Sequence, residues 1–174
     1  PNAVMTPFFG SHDTARLTSR ADYRGQAGHP TSVLNHQWSD QTLPAKPGET
    51  EPYARARLAL CWLLTIPGAP MLYMGDAYGE YGARDPDNRH PFRGLNKLPA
   101  DALNVQESAL LATSRKLGQA RLKLSALRTG AYQSLGATKD TLPFKRTLPN
   151  GEAVVVVLHR SDKPAAVSLD LGKL

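Results

Sequence analysis

Two groups of side chains in this sequence have the types and spacing to do chemistry. The first is Ser11-His12-Asp13, where an imidazole and a carboxylate arrive side by side directly after the apolar run Val4 to Phe9 and Gly10. The second is Asp85-Pro86-Asp87-Asn88-Arg89, in which an acid and a base stand four residues apart. One helical turn beginning at Pro86 would bring Asp85 and Arg89 into contact, either to hold a ligand hydroxyl or to staple a loop. Ser11-His12-Asp13 is not a hydrolase triad, because consecutive residues at a strand end point in different directions and cannot align hydroxyl, imidazole and carboxylate. A metal site built from His12, Asp13 and His29 or His36 has no ligand-spacing motif behind it. The purely structural alternative is that Ser11 or Asp13 caps the helix that follows.

The elements that must position these groups follow a strand, helix, strand order. Val4 to Phe9 reads as a buried strand, apolar and closed by a glycine. Arg55 to Ile66 is dense in helix formers and apolar on nearly every side after Arg57, as a helix packed between a sheet and its neighbours would be. Pro67-Gly68-Ala69-Pro70 ends it, and Met71 to Gly75 reads as a second short strand opening at Asp76 into a polar, glycine-rich loop. Both strands open into polar loops at the same end. In barrels of alternating strands and helices that end carries the chemistry.

Further along, Asn104 and Glu107 form a capping box for a helix running from Gln106 to Leu117, with Gly118 or the residues just beyond ending or bending it. After Ala126-Leu127-Arg128 the character changes. Ala131 to Leu135, Leu142 to Arg146, Ala153 to His159 and Ala165 to Leu169 are short strand-like segments separated by Gly136, Asp140, Pro149-Asn150-Gly151 and Ser161-Asp162-Lys163-Pro164. Asn150-Gly151 between two such runs is a strong hairpin signal. This part reads as an antiparallel β-sandwich-like domain.

Three runs, Phe8 to Leu17 (FFGSHDTARL), Leu58 to Gly79 (LALCWLLTIPGAPMLYMGDAYG) and Gly82 to Phe92 (GARDPDNRHPF), together resemble the last two βα units of the α-amylase family, family 13 of the glycoside hydrolases. The Ser-His-Asp-Thr form of the first run is similar to that of neopullulanase, cyclomaltodextrinase and maltogenic amylase relatives. The resemblance covers Val4 to Phe92 clearly and Leu95 to Leu174 in outline. It implies an α/β then β architecture: residues 1–120 as the C-terminal part of a (β/α)₈ barrel with a long loop at 21–52, and residues 121–174 as a β-rich C-terminal domain, truncated at its end. A whole barrel takes about 250 residues. The chain has 174, so it is expected to be the C-terminal part of a longer protein.

The function implied is hydrolysis of α-glucosidic bonds in starch, maltooligosaccharides or cyclodextrins with retention of configuration. Asp13 matches the family's transition-state-stabilising aspartate, and His12 the histidine beside it that hydrogen-bonds the sugar. An anion close to developing positive charge contributes most where water is excluded. Asp85 and Arg89 are placed at the cleft wall as substrate-binding residues. Trp38, with Tyr23 as its alternative, is placed to stack on a sugar ring from the long loop or simply to pin that loop. The nucleophile and the general acid would lie on earlier strands, so the chain by itself is expected to be inactive. Where relatives commonly read Gly-Asp-Glu after the last strand, this chain has Gly75-Asp76-Ala77, which removes a carboxylate from loop order but not from the catalytic set. Two other readings fit the same motifs: a non-catalytic carbohydrate-binding relative, and an isomerase or transglycosidase on the same barrel. The whole reading depends on the Asp13 carboxylate facing a cavity and on the two core strands being parallel neighbours.

Composition agrees with a globular domain: 41% hydrophobic and 21% charged. The net charge of +6 arises entirely after residue 103, where eleven Lys/Arg face five Asp/Glu, against ten of each before it. Those basic residues are spread along a helix without stacking aromatics, which does not make a nucleic-acid footprint. The longest apolar stretch, Leu58 to Ile66, is too short to span a bilayer. The lone Cys61, mid-helix among apolar residues, allows no intrachain disulfide and reads as an inert buried thiol. No organic cofactor or resident metal is expected in this stretch; the resemblance allows a calcium ion in the intact protein, on residues that would lie largely outside it. An α-glucan is the expected partner. Linkage preference, oligomeric state and secreted against cytoplasmic location stay open.

Overall fold

The computed structural model describes residues 4–22, 46, 48, 50–93 and 102–172. The chain divides into two compact units, one made of Pro1–Pro7, Leu58–Pro70 and Lys116–Leu174, the other of Phe8–Arg57 and Met71–Arg115. Five-residue α1 (Leu17–Ala21) is followed by α2 (Thr50–Thr65), two single 3₁₀ turns (Asp76–Tyr78 and Asp87–Arg89), α3 (Val105–Lys123) and the short α4 (Ser125–Thr129). Strands β1 (Ala131–Ser134), β2 (Thr141–Thr147) and β3 (Ala153–His159) complete the order.

In the first unit the three strands form one antiparallel sheet in the order β1-β2-β3. The register sets Phe144 opposite Ser134 on one side and Val156 on the other. The hairpin expected at Asn150-Gly151 is present, with Gly151 at φ +90° and Leu148 N–H bonded to Glu152 O at 2.8 Å. Phe144 is buried and lies 5.2 Å from the Tyr132 ring. Leu60, Leu63, Leu64, Ala126, Leu127 and Pro143 are buried in this unit as well.

The Pro67-Gly68-Ala69-Pro70 stop works as the sequence implies, and Gly68 is needed there on two counts. Its φ is +107°, and a Cβ would stand 2.6 Å from Met5 O. The carbonyls at the end of α2 are taken up by arginines: Arg121 donates to Leu64 O and Ile66 O at 2.9 and 3.3 Å, and Arg146 to Thr65 O at 2.7 Å. Orphan carbonyls and the negative end of the helix dipole both favour cations here.

Several expectations need correction. Val4 to Phe9 and Met71 to Gly75 are not strands: Val4 is 70% and Met5 75% exposed, and Phe8, Met71, Leu72 and Met74 are exposed as well. A barrel strand takes its ladder from neighbours on both sides, and among the described residues these segments form none. One backbone bond, Ala69 N–H to Met5 O at 2.9 Å, joins the first segment to the residues ahead of the second. Residues 165–169 are also not in a strand. Helix α3 runs through Gly118 to Lys123, because a single glycine costs only about 1 kcal/mol in a long helix. Short α4, which the sequence pattern did not single out, has its Ala126 N–H held by Glu152 Oε1 at 2.9 Å.

Candidate functional site

The candidate site lies in the second unit, on the turn of residues 11–14. Ser11 N–H donates to Thr14 Oγ1 at 3.0 Å, and Asp13 N–H to Ser11 Oγ at 3.2 Å. Ser11 therefore orders the turn itself and caps no helix. The N-cap of α1 is Arg16, with no side-chain cap. His12 Nε2 stands 3.2 Å from Asp13 Oδ2, and both side chains face solvent, 63% and 74% exposed.

Asn88 binds this turn to the second group. It is fully buried in the 3₁₀ turn Asp87–Arg89, and its amide nitrogen donates to Ser11 O at 3.3 Å, His12 O at 2.8 Å and Thr14 O at 2.8 Å. The next residue, Arg89, pairs through Nε with Asp85 Oδ1 four positions back, as the spacing implies, with both side chains half exposed. The structure thus brings His12, Asp13, Asp85 and Arg89 onto two adjoining turns. Trp38 and the other candidates of the long loop, Tyr23, His29 and His36, lie outside the described residues.

Behind the turn sits a buried ion pair held under strain of desolvation. Arg16 is fully buried, stacks 4.4 Å from the Tyr73 ring centroid, donates through Nη1 to Met74 O and lies 3.8 Å from Asp76 Oδ1. Asp76 Oδ2 accepts from Tyr73 N–H at 3.2 Å. Gly10 makes room for that carboxylate, since a Cβ there would stand 2.8 Å from Asp76 Oδ2. Burial pushes the Asp76 carboxyl up to about 6 against the pull of Arg16, and burial also lowers Arg16. Both partners shift towards their neutral forms, so desolvation exceeds what the long contact contributes. Ala77, which follows Asp76, contributes its carbonyl, which accepts from Ser114 Oγ at 2.8 Å.

A second polar cluster was not legible as such in the sequence. Arg93 donates through Nε to Glu80 Oε2 at 2.8 Å and through Nη2 to Glu107 Oε1 at 2.6 Å, while Lys46 Nζ reaches Glu107 at 2.8 Å. Tyr78 OH donates to Glu80 Oε2 at 3.0 Å and accepts from Arg93 N–H at 3.0 Å. Glu107 is also the capping-box acid: its Oε2 takes Asn104 N–H at 2.8 Å, and Asn104 Oδ1 takes Glu107 N–H at 2.8 Å. Burial raises Glu107, but the hydrogen bonds from Arg93, Lys46 and Asn104 outweigh it and hold it below the usual glutamate value. The box was readable from Asn104 and Glu107. Nothing in their spacing shows that Glu80 and Arg93 meet them.

His90 stands between carboxylates, Nε2 3.2 Å from Asp87 and Nδ1 3.6 Å from Glu80. Among the described residues no group of three or more His, Cys, Asp or Glu side chains could hold a metal ion, and no helix is long and apolar enough to cross a membrane. A small pocket is lined by Thr50, Tyr53, Ala54, Arg57, Gln106, Ala109 and Leu110, not by His12 or Asp13.

No protein-family model matches the chain. Curated relatives do: it is 26% identical to an amylopullulanase of Thermoanaerobacter thermohydrosulfuricus over 94% of its length and 27% identical to a cyclomaltodextrinase of Thermoanaerobacter pseudethanolicus over 97%. It spans only 10% of the first and 23% of the second. Among solved structures, an Anoxybacillus α-amylase superposes with a TM-score of 0.63 at 26% identity, over 92% of this chain and 28% of that one. The relatives and structural neighbours are members of the α-amylase family, so the resemblance carried by the three motifs holds along nearly the whole chain.

Proposed function

Since the chain resembles α-amylase-family enzymes along nearly its whole length, we propose that it is the C-terminal part of a retaining α-glucan glycoside hydrolase, with residues 1–120 completing a (β/α)₈ barrel and 121–174 forming the C-terminal domain. The two segments placed as barrel strands are unpaired among the described residues and the Asp13 side chain faces solvent, so the reading is carried instead by the likeness to α-amylase-family relatives together with the joining of the His12-Asp13 turn to the Asp85–Arg89 turn through Asn88.

In a retaining mechanism a carboxylate nucleophile forms a glycosyl-enzyme intermediate, a carboxylic acid protonates the leaving oxygen, and the sugar passes through an oxocarbenium-like state. Asp13 is proposed to stabilise that cation, and an exposed carboxylate on an ordered turn is available to do so once substrate excludes water. His12, which faces solvent beside it, donates a hydrogen bond to a sugar hydroxyl. Asp85 and Arg89 line the cleft with their polar ends. The chain's own residues supply neither nucleophile nor acid in this scheme, and the chemistry calls for carboxylates and water without an organic cofactor. The substrate class is α-1,4- or α-1,6-linked glucan or cyclodextrin.

The test is an assay of the full-length protein on maltooligosaccharides, pullulan and cyclodextrins, with the anomer of the first product followed by NMR. Release of the α-anomer is expected. Absence of cleavage, or release of the β-anomer, contradicts the proposal. The 174-residue chain alone is expected to give no turnover on the same substrates.

A further inference from the structure

Asn88 is neither charged nor exposed, and nothing about its residue type marks it for catalysis. Its surroundings do. Three backbone carbonyls, those of Ser11, His12 and Thr14, converge on one side-chain nitrogen, at 3.3, 2.8 and 2.8 Å. The two N–H of the amide serve the two carbonyls at 2.8 Å and share the longer contact, whereas the amide oxygen has no proton to offer a carbonyl. The same contacts fix which way round the amide lies. Asn88 Oδ1 is left buried without a hydrogen-bond partner, a cost the site accepts for the sake of the donor.

The chain is also held just ahead of the turn, where Gly10 packs against the Asp76 carboxylate and Arg20 Nη1 donates to Phe9 O at 2.9 Å. The turn's internal bonds, Ser11 N–H to Thr14 Oγ1 and Asp13 N–H to Ser11 Oγ, order the backbone locally but do not tie it to the rest of the unit. His12 and Asp13 themselves are exposed. The backbone bond from Arg16 N–H to Gly82 O at 3.0 Å anchors the chain only after the turn has ended. The amide of Asn88 is therefore the contact that reaches the turn's own carbonyls from a distant part of the sequence. Asn88 is in turn held by its 3₁₀ turn: Ala83 N–H donates to Asp87 Oδ2 at 2.6 Å, and Asn88 N–H to Arg84 O at 3.3 Å.

We propose that Asn88 is a positioning residue that sets where the Asp13 carboxylate and the His12 imidazole stand relative to the Asp85–Arg89 pair. This inference rests on the glycosidase reading above. Asn88 touches no substrate and acts through the backbone of the turn. Because the displaced group is one that works in the transition state, its loss lowers kcat more than it raises KM.

The experiment measures kcat and KM of the full-length protein on a maltooligosaccharide for wild type, Asn88→Ser, Asn88→Ala and Asp13→Asn. Ser keeps a single short donor and Ala none. The expected order of kcat is wild type above Asn88→Ser above Asn88→Ala, with a loss of about 10- to 100-fold for Ala, as a misplacement of about 1 Å produces, and with KM within about 3-fold of wild type. If Asn88→Ala does not fold by circular dichroism, the Asn88→Ser split between kcat and KM decides. Wild-type kcat in a folded Asn88→Ala or Asn88→Ser variant, or a change confined to KM, overturns the positioning role when wild type is active and Asp13→Asn is not. A wild-type protein without glucan cleavage overturns the underlying reading instead, so the two failures are distinguishable.

Discussion

In the unit that carries the candidate site, Arg93, itself partly exposed, faces two buried carboxylates, Glu80 and Glu107, at 2.8 and 2.6 Å. In the unit that carries the sheet, buried Arg146 faces the carbonyls of Thr65, Leu127 and Gly130 at 2.7 to 3.0 Å, and Arg121 takes those of Leu64, Ile66 and Leu127. Both arrangements satisfy a guanidinium's fork of donors. They differ in what the partner demands. A carboxylate left without its cation is an uncompensated buried charge, whereas a carbonyl left without its donor is an unsatisfied dipole. Arg93 is accordingly held protonated by its hydrogen bonds with Glu107 and Glu80 against the burial that would lower it. Burial lowers Arg146, and the neighbouring charge of Arg121 lowers it further.

That difference sets the size of the expected mutational effects. Arg93→Ala leaves buried Glu80 without its guanidinium, while Glu107 keeps Lys46 and the Asn104 N–H, and is expected to destabilise the protein by about 3 kcal/mol in urea unfolding. An effect under about 1 kcal/mol would mean that the network behaves as a surface pair. The Arg16–Asp76 pair gives an effect that depends on pH. The folded state holds the Asp76 proton up to about 6, the unfolded chain only to 3.8. Its contribution is therefore fully present below pH 3.8 and lost as pH rises through about 6. Asp76→Asn should remove that decline, so that the variant's stability no longer falls between about pH 4 and 7 as the wild type's does, while buried Arg16 loses its carboxylate at every pH. Parallel pH profiles for the two proteins would contradict this.

In the sheet unit, Arg146→Met is expected to cost about 1–3 kcal/mol for the carbonyls it leaves, with no dependence on pH between 4 and 7, because no partner there titrates. A strong pH dependence of that cost would erase the contrast between the units. The smallest stability effect is expected at the half-exposed Asp85–Arg89 pair, where Arg89→Ala should change unfolding by under about 1 kcal/mol and, on the proposed glycosidase reading, raise KM for glucan in the full-length protein.

The sheet unit was also the more legible from sequence. Asn150-Gly151 set the hairpin, and the β-branched run Val154 to Val157 set β3, because local turn chemistry and side-chain alternation decide such elements over a few residues. Residues 4–9 and 71–75 carry equally apolar runs, yet an apolar run becomes a strand only when a neighbour supplies hydrogen bonds. Here those side chains are exposed. At the site, the residue types of His12, Asp13, Asp85 and Arg89 announced themselves, and the four-residue spacing gave the Asp85–Arg89 contact correctly. Asn88 and the meeting of Glu80 with Arg93 could not be read, because each joins residues across a fold and no local pattern encodes that.

The central claim is that the Asp13 carboxylate works on the transition state of glucan cleavage. The most direct measurement is kcat for Asp13→Asn in the full-length protein on a maltooligosaccharide, alongside the affinity for an unreactive substrate analogue. The account predicts a loss in kcat of at least about 100-fold, the scale of removing one preorganised stabilising group, with analogue affinity little changed. A variant that turns over at the wild-type rate would contradict it.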